Sequence, residues 1–201
     1  MQRFLTAVFA CLVCACASTP TANSAPSAST PALDTSPSAL ARASGSCPSP
    51  TVAETEGPYF RAGSPERTSF VEPGMAGTRL HLTGRVVKAD CSPIAGSELD
   101  FWHADASGHY DNSGYRLRGH EFTDAHGNFS LDTIVPGLYP GRTRHIHVKV
   151  HPPGASTLTT QLYFPGEARN AQDSLFNSAL LLDVRDEDGG KSASFTFVLR
   201  A

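Results

Sequence analysis

The chain has 201 residues and a formal net charge of -3, and no stretch of it concentrates lysine or arginine. Proteins that bind nucleic acids usually carry a basic run or face that neutralises phosphates, so this composition argues against that class of function. The sequence also contains no internal repeat and no Gly-rich phosphate loop. Chemistry on a small molecule is therefore the better expectation.

The N-terminal residues predict export. Residues 4–13 form a nearly unbroken apolar run that is too short to span a bilayer stably, which is typical of a signal-peptide core. The Val-Cys-Ala-Cys at residues 13–16 resembles a lipoprotein signal, in which the last cysteine is acylated and becomes the new N-terminus. We expect residues 1–16 to be this signal and Cys16 the lipid anchor, with Cys14 as a weaker register. The alternative is a plain secretory signal cut between residues 15 and 18, which predicts a periplasmic or secreted protein.

Residues 17–46 are almost entirely Ser, Thr, Ala and Pro. Such a segment cannot bury enough apolar surface to offset the entropy of ordering, so we expect a disordered tether. Residues 47–201 then have the size of one domain with a single core. In an oxidising exported setting Cys47 and Cys91 are expected to form a disulfide, the alternative being two unpaired thiols.

The remaining segments are short and alternate between apolar and polar residues, with turn residues between them. No stretch keeps an amphipathic helical period over three turns, so the pattern predicts an all-β fold, a single antiparallel β-sandwich. One short helical turn is expected at Leu175 and Phe176. The predicted strands are 79–88 and 97–104, joined by a turn at 90–96, then 128–134, 145–151, 157–164, 180–184 and 193–199.

His145 and His147 lie two residues apart in one predicted strand and therefore share a face, where two neutral imidazoles can bind one metal ion. Tyr110 and Tyr139 precede them, and a phenol becomes a useful ligand only when a strongly acidic cation displaces its proton, which favours ferric iron. Spacing alone leaves open whether each tyrosine is a ligand or a turn and packing residue. Trp102 is expected to fill the core. Six histidines lack such a partner and are expected to be surface or packing residues: His81, His103, His109, His120, His126 and His151.

Ordered motifs connect these residues to a known family. The chain resembles the intradiol ring-cleavage dioxygenases in collinear order over most of the domain. The motifs are EGPYF at 56–60, TGRVV at 83–87, FWHADASGHY at 101–110, RG at 118–119, TDAHG at 123–127, TIVPGLY at 133–139, HIH at 145–147 and TTQLYF at 159–164.

The resemblance implies a non-haem Fe(III) bound by Tyr110, Tyr139, His145 and His147. It implies cleavage of catechol or a substituted catechol by O2 between the two hydroxyl-bearing carbons, giving a cis,cis-muconate type diacid. Tyr139 would be the ligand that leaves when substrate binds, while Tyr110 stays bound. Two further residues are implied in the substrate site: Arg142 and Gln161. Arg142 would stabilise negative charge during the attack of dioxygen, and its alternative is a surface arginine in a loop.

The sequence departs from the family in ways that leave some properties open. Only five residues separate Tyr139 from His145, fewer than in the protocatechuate enzymes, so the choice of catechol is not predicted. A signal and tether take the place of the helical N-terminal dimerisation segment of the catechol enzymes, so the oligomeric state is not predicted either. Tyr59 either lines the mouth of the pocket or anchors the entering chain.

Two functions from other classes are alternatives. One is a non-catalytic β-sandwich binding module at the cell surface, because folds of this kind often host binding alone. The other is a zinc hydrolase that uses His145 and His147, although no carboxylate ligand or base lies at motif spacing from them.

Overall fold

The structure is a computed structural model that describes residues 47–200. Within this range the chain forms two four-stranded sheets, ordered β4-β1-β8-β7 and β3-β2-β5-β6. The strands are β1 (Arg79–Lys88), β2 (Glu98–Trp102), β3 (Arg118–Phe122), β4 (Asn128–Ile134), β5 (His145–His151), β6 (Leu158–Tyr163), β7 (Asp183–Glu187) and β8 (Gly190–Leu199). Two single-turn 3-10 helices, Ala168–Ala171 and Ser178–Leu180, lie between β6 and β7. The predicted signal, lipid anchor and tether lie outside the described residues.

The two sheets pack face to face, which confirms the predicted β-sandwich. Their facing sides form one apolar core, to which β5 contributes Ile146, Val148 and Val150. Because side chains alternate along a strand, His145 and His147 point to the opposite, outer face of the second sheet. No helix within residues 47–200 is long and apolar enough to cross a membrane.

The outer face of the second sheet is covered by residues 52–64, which we call the cover segment. The backbone N–H of Glu54 donates to the carbonyl of Thr159 in β6 at 2.9 Å. Ser64 Oγ donates to Asp100 Oδ1 in β2, also at 2.9 Å. The face that carries the two histidines is therefore buried although it lies outside the sandwich core.

The next stretch of chain, residues 65–70, runs along one edge of both sheets. The N–H of Arg67 donates to the carbonyl of His120 in β3, and the N–H of Phe70 donates to the carbonyl of Asp132 in β4, each at 2.8 Å. A sheet edge without such a partner presents unpaired backbone groups to other chains. One continuous segment thus protects an edge strand of each sheet.

Most neighbouring strands are antiparallel, as predicted, but β1 and β8 pair in parallel over their whole length. The predicted disulfide between Cys47 and Cys91 is present, with the Cα atoms 5.4 Å apart. It ties the start of the described chain to the turn after β1. Trp102 is buried, but it packs under the cover segment against Phe60, with ring centroids 4.9 Å apart, rather than between the sheets.

The structure differs from the prediction at three elements. The strand expected at 180–184 begins only at Asp183, because Leu180 ends a 3-10 helix and is buried there. Strand β3 was not predicted. Leu175 and Phe176 follow Asp173 in a turn, in which the N–H of Phe176 donates to the carbonyl of Asp173, and not in a helical turn.

Candidate metal centre

The four side chains expected to bind metal lie together beside the start of β5. Tyr110 comes from the loop after β2, and Tyr139 from the loop between β4 and β5. The hydroxyl of Tyr110 lies 3.1 Å from Nε2 of His145. The ring centroids of Tyr110 and Tyr139 are 5.8 Å apart, and those of His145 and His147 are 4.8 Å apart. Four candidate donor groups that are distant in sequence therefore share one small volume.

The two tyrosine loops approach each other because glycine is present at their contact. A Cβ atom built at Gly108 would lie 2.2 Å from the carbonyl oxygen of Leu138, and Gly108 also has a φ of +85°. The N–H of Gly137 donates to the carbonyl of Asp105 at 2.7 Å. Any larger side chain at Gly108 would push the two loops apart.

His145 presents one nitrogen to the protein and the other to the site. Its Nδ1 lies 2.6 Å from the carbonyl oxygen of Thr143, which can only accept, so this nitrogen carries the proton. Its Nε2 then has a free lone pair directed towards the hydroxyl of Tyr110. Burial lowers the pKa of His145 to about 4, so the ring is neutral near pH 7. A neutral imidazole with a fixed tautomer is suited to bind a metal.

His147 is positioned by packing rather than by hydrogen bonds. Its ring stacks on Trp102, with centroids 4.9 Å apart and planes 6° from parallel. A Cβ atom at Gly57 would lie 3.3 Å from Cε1 of the same ring, so the cover segment packs closely against its edge. Nδ1 of His147 is buried and has no hydrogen-bond partner within residues 47–200. Burial keeps the pKa of His147 well below its usual value, and the ring is neutral.

A third tyrosine belongs to the cluster. The ring of Tyr59 stacks on that of Tyr110, with centroids 4.5 Å apart, and its hydroxyl lies 2.8 Å from the hydroxyl of Tyr139. The hydrogen bond to Tyr139 raises the pKa of Tyr59. Burial raises the pKa of Tyr110, while the charges of Arg142 and Arg118 act in the opposite direction. With their pKa values raised, the phenols of Tyr59 and Tyr110 stay protonated near neutral pH when no cation is bound.

Arg142 and Gln161, expected in the substrate site, are in direct contact. Arg142 Nη2 donates to Gln161 Oε1 at 2.7 Å, and Gln161 Nε2 donates to the carbonyl of Thr55 in the cover segment at 2.9 Å. Arg142 Nε donates to Asp173 Oδ2 at 2.8 Å. The arginine side chain is only 16% exposed, so it is not the free surface arginine of the alternative interpretation.

Arg118 fixes the chain segments that carry two of the tyrosines. It is 2% exposed, and its guanidinium donates to the backbone carbonyl of Tyr59 at 2.5 Å and to that of Asp111 at 2.9 Å. Asp111 directly follows Tyr110, so one buried cation binds the backbone at Tyr59 and next to Tyr110. Its cost of burial is offset by hydrogen bonds to carbonyl oxygens.

The residues present fit a ferric ion. Two neutral imidazoles and two phenols converge, and a strongly acidic cation is the partner that such phenols require. No group of three or more His, Cys, Asp or Glu side chains in the described part of the chain could bind a metal. A zinc hydrolase site of the usual ligand types is therefore not formed by residues 47–200.

Comparison with known proteins identifies the family. The family model described as "Dioxygenase" matches residues 55–200. The chain belongs to the intradiol dioxygenase family. A 6-chlorohydroxyquinol 1,2-dioxygenase of Cupriavidus pinatubonensis is 32% identical, with 76% of this chain and 64% of that protein covered. A protocatechuate 3,4-dioxygenase beta chain of Burkholderia cepacia is 30% identical, with 62% and 65% covered.

Solved structures of family members have the same sandwich. The dioxygenase domain of a dioxygenase carbohydrate-binding protein fusion from Streptomyces sp. SirexAA-E is 54% identical, with a TM-score of 0.75, and the match covers 76% of this chain and 99% of that chain. The 3-chlorocatechol 1,2-dioxygenase of Rhodococcus opacus 1CP is 30% identical, with a TM-score of 0.71 and coverage of 75% and 72%. The chain spans 64% of the length of the Cupriavidus enzyme and 55% of a catechol 1,2-dioxygenase of Acinetobacter guillouiae.

Sequence reasoning missed two residues of this neighbourhood. Asp173 lies in an irregular loop thirty residues from Thr143, its backbone partner, and no pattern of spacing announces such a contact. Arg118 was noted only as part of a motif, because an arginine in a short polar segment gives no sign that it is buried. Tyr59 was left between two roles, and the structure places its hydroxyl on Tyr139.

Proposed function

We propose that this protein is a non-haem iron(III)-dependent dioxygenase. It would cleave catechol or a substituted catechol between the two hydroxyl-bearing carbons with O2, giving a cis,cis-muconate type diacid. The observation that carries the proposal is the convergence of Tyr110, Tyr139, His145 and His147 in one site, where both histidines are buried and both tyrosines are half-buried. Membership of the intradiol dioxygenase family supports ring cleavage of catechols, while the iron, its ligands and the choice of catechol are the proposed parts.

Bound ferric iron would supply the Lewis acidity that ionises phenols and catechols and the redox activity that makes a catechol ring reactive towards O2. The protein's own part begins with the two tyrosines. Tyr139 would be the phenol that takes a proton and gives way to substrate, and the hydroxyl of Tyr59, 2.8 Å away, is a hydrogen-bond partner already in place. Tyr110 is stacked under Tyr59 and directed at His145, which suits the phenol that stays.

Arg142 supplies a fixed positive charge beside this site. Its guanidinium is oriented by Asp173 on one side and by Gln161 on the other. A cation that does not have to reorient stabilises negative charge developing on the substrate more effectively than solvent does. Gln161 in turn donates to the backbone of the cover segment, so the Arg142 cation and the cover segment are positioned by the same side chain.

The named relatives and the loop between Tyr139 and His145 bear on the class of substrate. Relatives are named as enzymes for chlorohydroxyquinol, chlorocatechol and catechol, and one as a protocatechuate enzyme. The loop between Tyr139 and His145 has only five residues, fewer than in the protocatechuate enzymes, so part of the pocket wall that those enzymes use is not expected here. We propose catechols without a carboxylate as the first substrates to test, with protocatechuate as the comparison.

The test is a visible absorption spectrum of the full chain loaded with ferric iron, before and after catechol is added without oxygen. A tyrosinate-to-iron charge-transfer band that shifts on adding catechol is the expected result. Admitting air should then yield a muconate-type product, detected by its ultraviolet absorption. A folded protein that binds no iron and stays colourless would refute the proposal and favour the binding-module alternative.

Tyr110→Phe should weaken the charge-transfer band and lower bound iron to well below one equivalent, because it deletes one of the two candidate phenolate ligands. Tyr115→Phe is the matched control. Tyr115 lies in the same loop, but its hydroxyl is directed to the carbonyl of Ala62 at 2.9 Å, away from the cluster. Metal analysis and the spectrum check both variants, and full iron in Tyr110→Phe would remove Tyr110 from the ligand set.

We also propose that the protein is exported and anchored through Cys16. The disulfide between Cys47 and Cys91 supports an oxidising compartment. Cys16→Ser should release the protein from the membrane fraction and abolish incorporation of labelled fatty acid. Retention of label would assign the anchor to Cys14 instead, and no label in the parent would favour the plain secretory signal.

A further inference from the structure

Two arginines in the loop before β5 form ion pairs that differ in how deeply the carboxylate is buried. Arg142 pairs with Asp173, and Arg144 pairs with Glu167, with N···O distances of 2.8 and 2.7 Å. Both acids lie in the loop after β6. The carboxylate of Asp173 is 2% exposed, whereas that of Glu167 is 24% exposed. Arg142 also donates to Gln161 of the candidate substrate site, whereas the guanidinium of Arg144 donates to the carbonyl of Pro136, so the two pairs form a natural comparison.

Asp173 is bound on both of its oxygens. Oδ2 accepts from Arg142 Nε and from the backbone N–H of Thr143, each at 2.8 Å. Oδ1 accepts from the backbone N–H of Leu175 at 2.9 Å. A buried carboxylate with three donors in fixed positions has one orientation, and charge-assisted hydrogen bonds of this kind are stronger than neutral ones.

The first consequence concerns Arg142. With Nε on Asp173 and Nη2 on Gln161 Oε1, the planar guanidinium is fixed at two points on different sides. The second consequence concerns His145. The residue whose N–H binds Asp173 is Thr143, and its carbonyl accepts from Nδ1 of His145 at 2.6 Å. That hydrogen bond is what leaves Nε2 unprotonated on the side of the cluster.

We infer that Asp173 is the positioning residue that sets both the direction of the Arg142 cation and the tautomer of His145. It touches neither the candidate metal position nor substrate, and acts through these two neighbours. The inference rests on the proposed function only for its effect on turnover. Its effect on the two hydrogen bonds concerns the protein without metal.

The first experiment uses the full-length, iron-free chain labelled with 15N. In the parent we expect a slowly exchanging Nε–H signal of Arg142, and His145 in the Nδ1–H tautomer. Asp173→Asn should weaken or lose the Arg142 signal, and Asp173→Ala should lose it and mix the His145 tautomers. Glu167→Gln should change neither. A parent in which neither hydrogen bond is detected refutes the inference whether or not the variants fold.

The second experiment measures turnover of the iron-loaded chains with catechol. We expect kcat to fall about 10-fold in Asp173→Asn and about 100-fold or more in Asp173→Ala, with KM changed less than 3-fold, because orientation of a charge-stabilising cation acts mainly on the transition state. Glu167→Gln should stay within 3-fold of the parent. Equal losses in Glu167→Gln and Asp173→Asn, or an unchanged kcat in Asp173→Ala, would overturn the inference. A parent without iron or product refutes the proposed function, and the NMR result then still decides the role of Asp173.

Discussion

Replacing Glu121 by glutamine is expected to stabilise the fold at pH 8 relative to the parent and to lose this advantage at pH 4.5. Glu121 lies in β3 and is 5% exposed. Its Oε2 accepts from the backbone N–H of Ser130 in β4 at 3.0 Å, while Oε1 is buried without a partner among the described residues. Burial raises the pKa of this carboxyl to about 7 from its ordinary value of 4.5.

The direction in which the free energy of unfolding changes with pH follows from proton binding. Between pH 4.5 and about 7 the folded state keeps a proton on Glu121 that the unfolded state has lost, so the free energy of unfolding falls as pH rises through this window. The full shift corresponds to roughly 3 kcal/mol. The effective dielectric constant inside proteins is larger than that of a dry apolar interior, which leaves about 1–2 kcal/mol for the difference between the two ends of the window.

The assay is urea unfolding of parent and Glu121→Gln at half-unit steps from pH 4.5 to 8.5. Glutamine keeps an acceptor for the N–H of Ser130 but carries no charge, so the difference in unfolding free energy between the two proteins should grow with pH and level off above pH 7. Glu66→Gln, which removes an exposed carboxyl near the same edge, controls for the change in net charge. Parallel curves for parent and Glu121→Gln would refute the argument.

Two further predictions concern the backbone and the covalent link. Gly108→Ala should lower the midpoint of thermal unfolding and reduce bound iron, because its Cβ would meet the carbonyl of Leu138 at 2.2 Å; an unchanged midpoint would mean that the two loops separate at no cost. Cys91→Ser should lower the free energy of unfolding by roughly 4 kcal/mol, since Cys47 and Cys91 close a loop with a sequence separation of 44. The free energy of unfolding of Cys91→Ser should lie between the values that urea titration gives for the oxidised and the reduced parent.

The strands that could be predicted from the sequence are those with one face in the core. In β1 the buried Leu80 and Leu82 alternate with the exposed His81, and the period of two is visible in the letters. In β3 the two residues on the inward face are Gly119 and Glu121, so the apolar signal is missing although the strand is largely buried. The bounds of β7 were not predicted correctly because this strand is mostly exposed and also has no apolar face.

The residues of the candidate site also differ in how far the sequence could predict them. His145 and His147 share a face through local geometry alone, so their pairing follows from the sequence. The meeting of that face with Tyr110 and Tyr139 depends on loop contacts, and the family resemblance rather than spacing supplied it. Asp173 depends on a contact between two irregular loops, which neither periodicity nor motif reveals.

The parallel pairing of β1 with β8 has a consequence for how the protein is made. β1 is the first strand of the domain and β8 the last, yet they are neighbours in the middle of one sheet and are joined over ten residue pairs. This sheet cannot be completed until the residues of β8 have left the ribosome, so β1 lacks one of its two neighbours while the rest of the domain is being made. A chain that stops before Gly190 would leave the β1 edge open and should be found as an aggregate or be degraded.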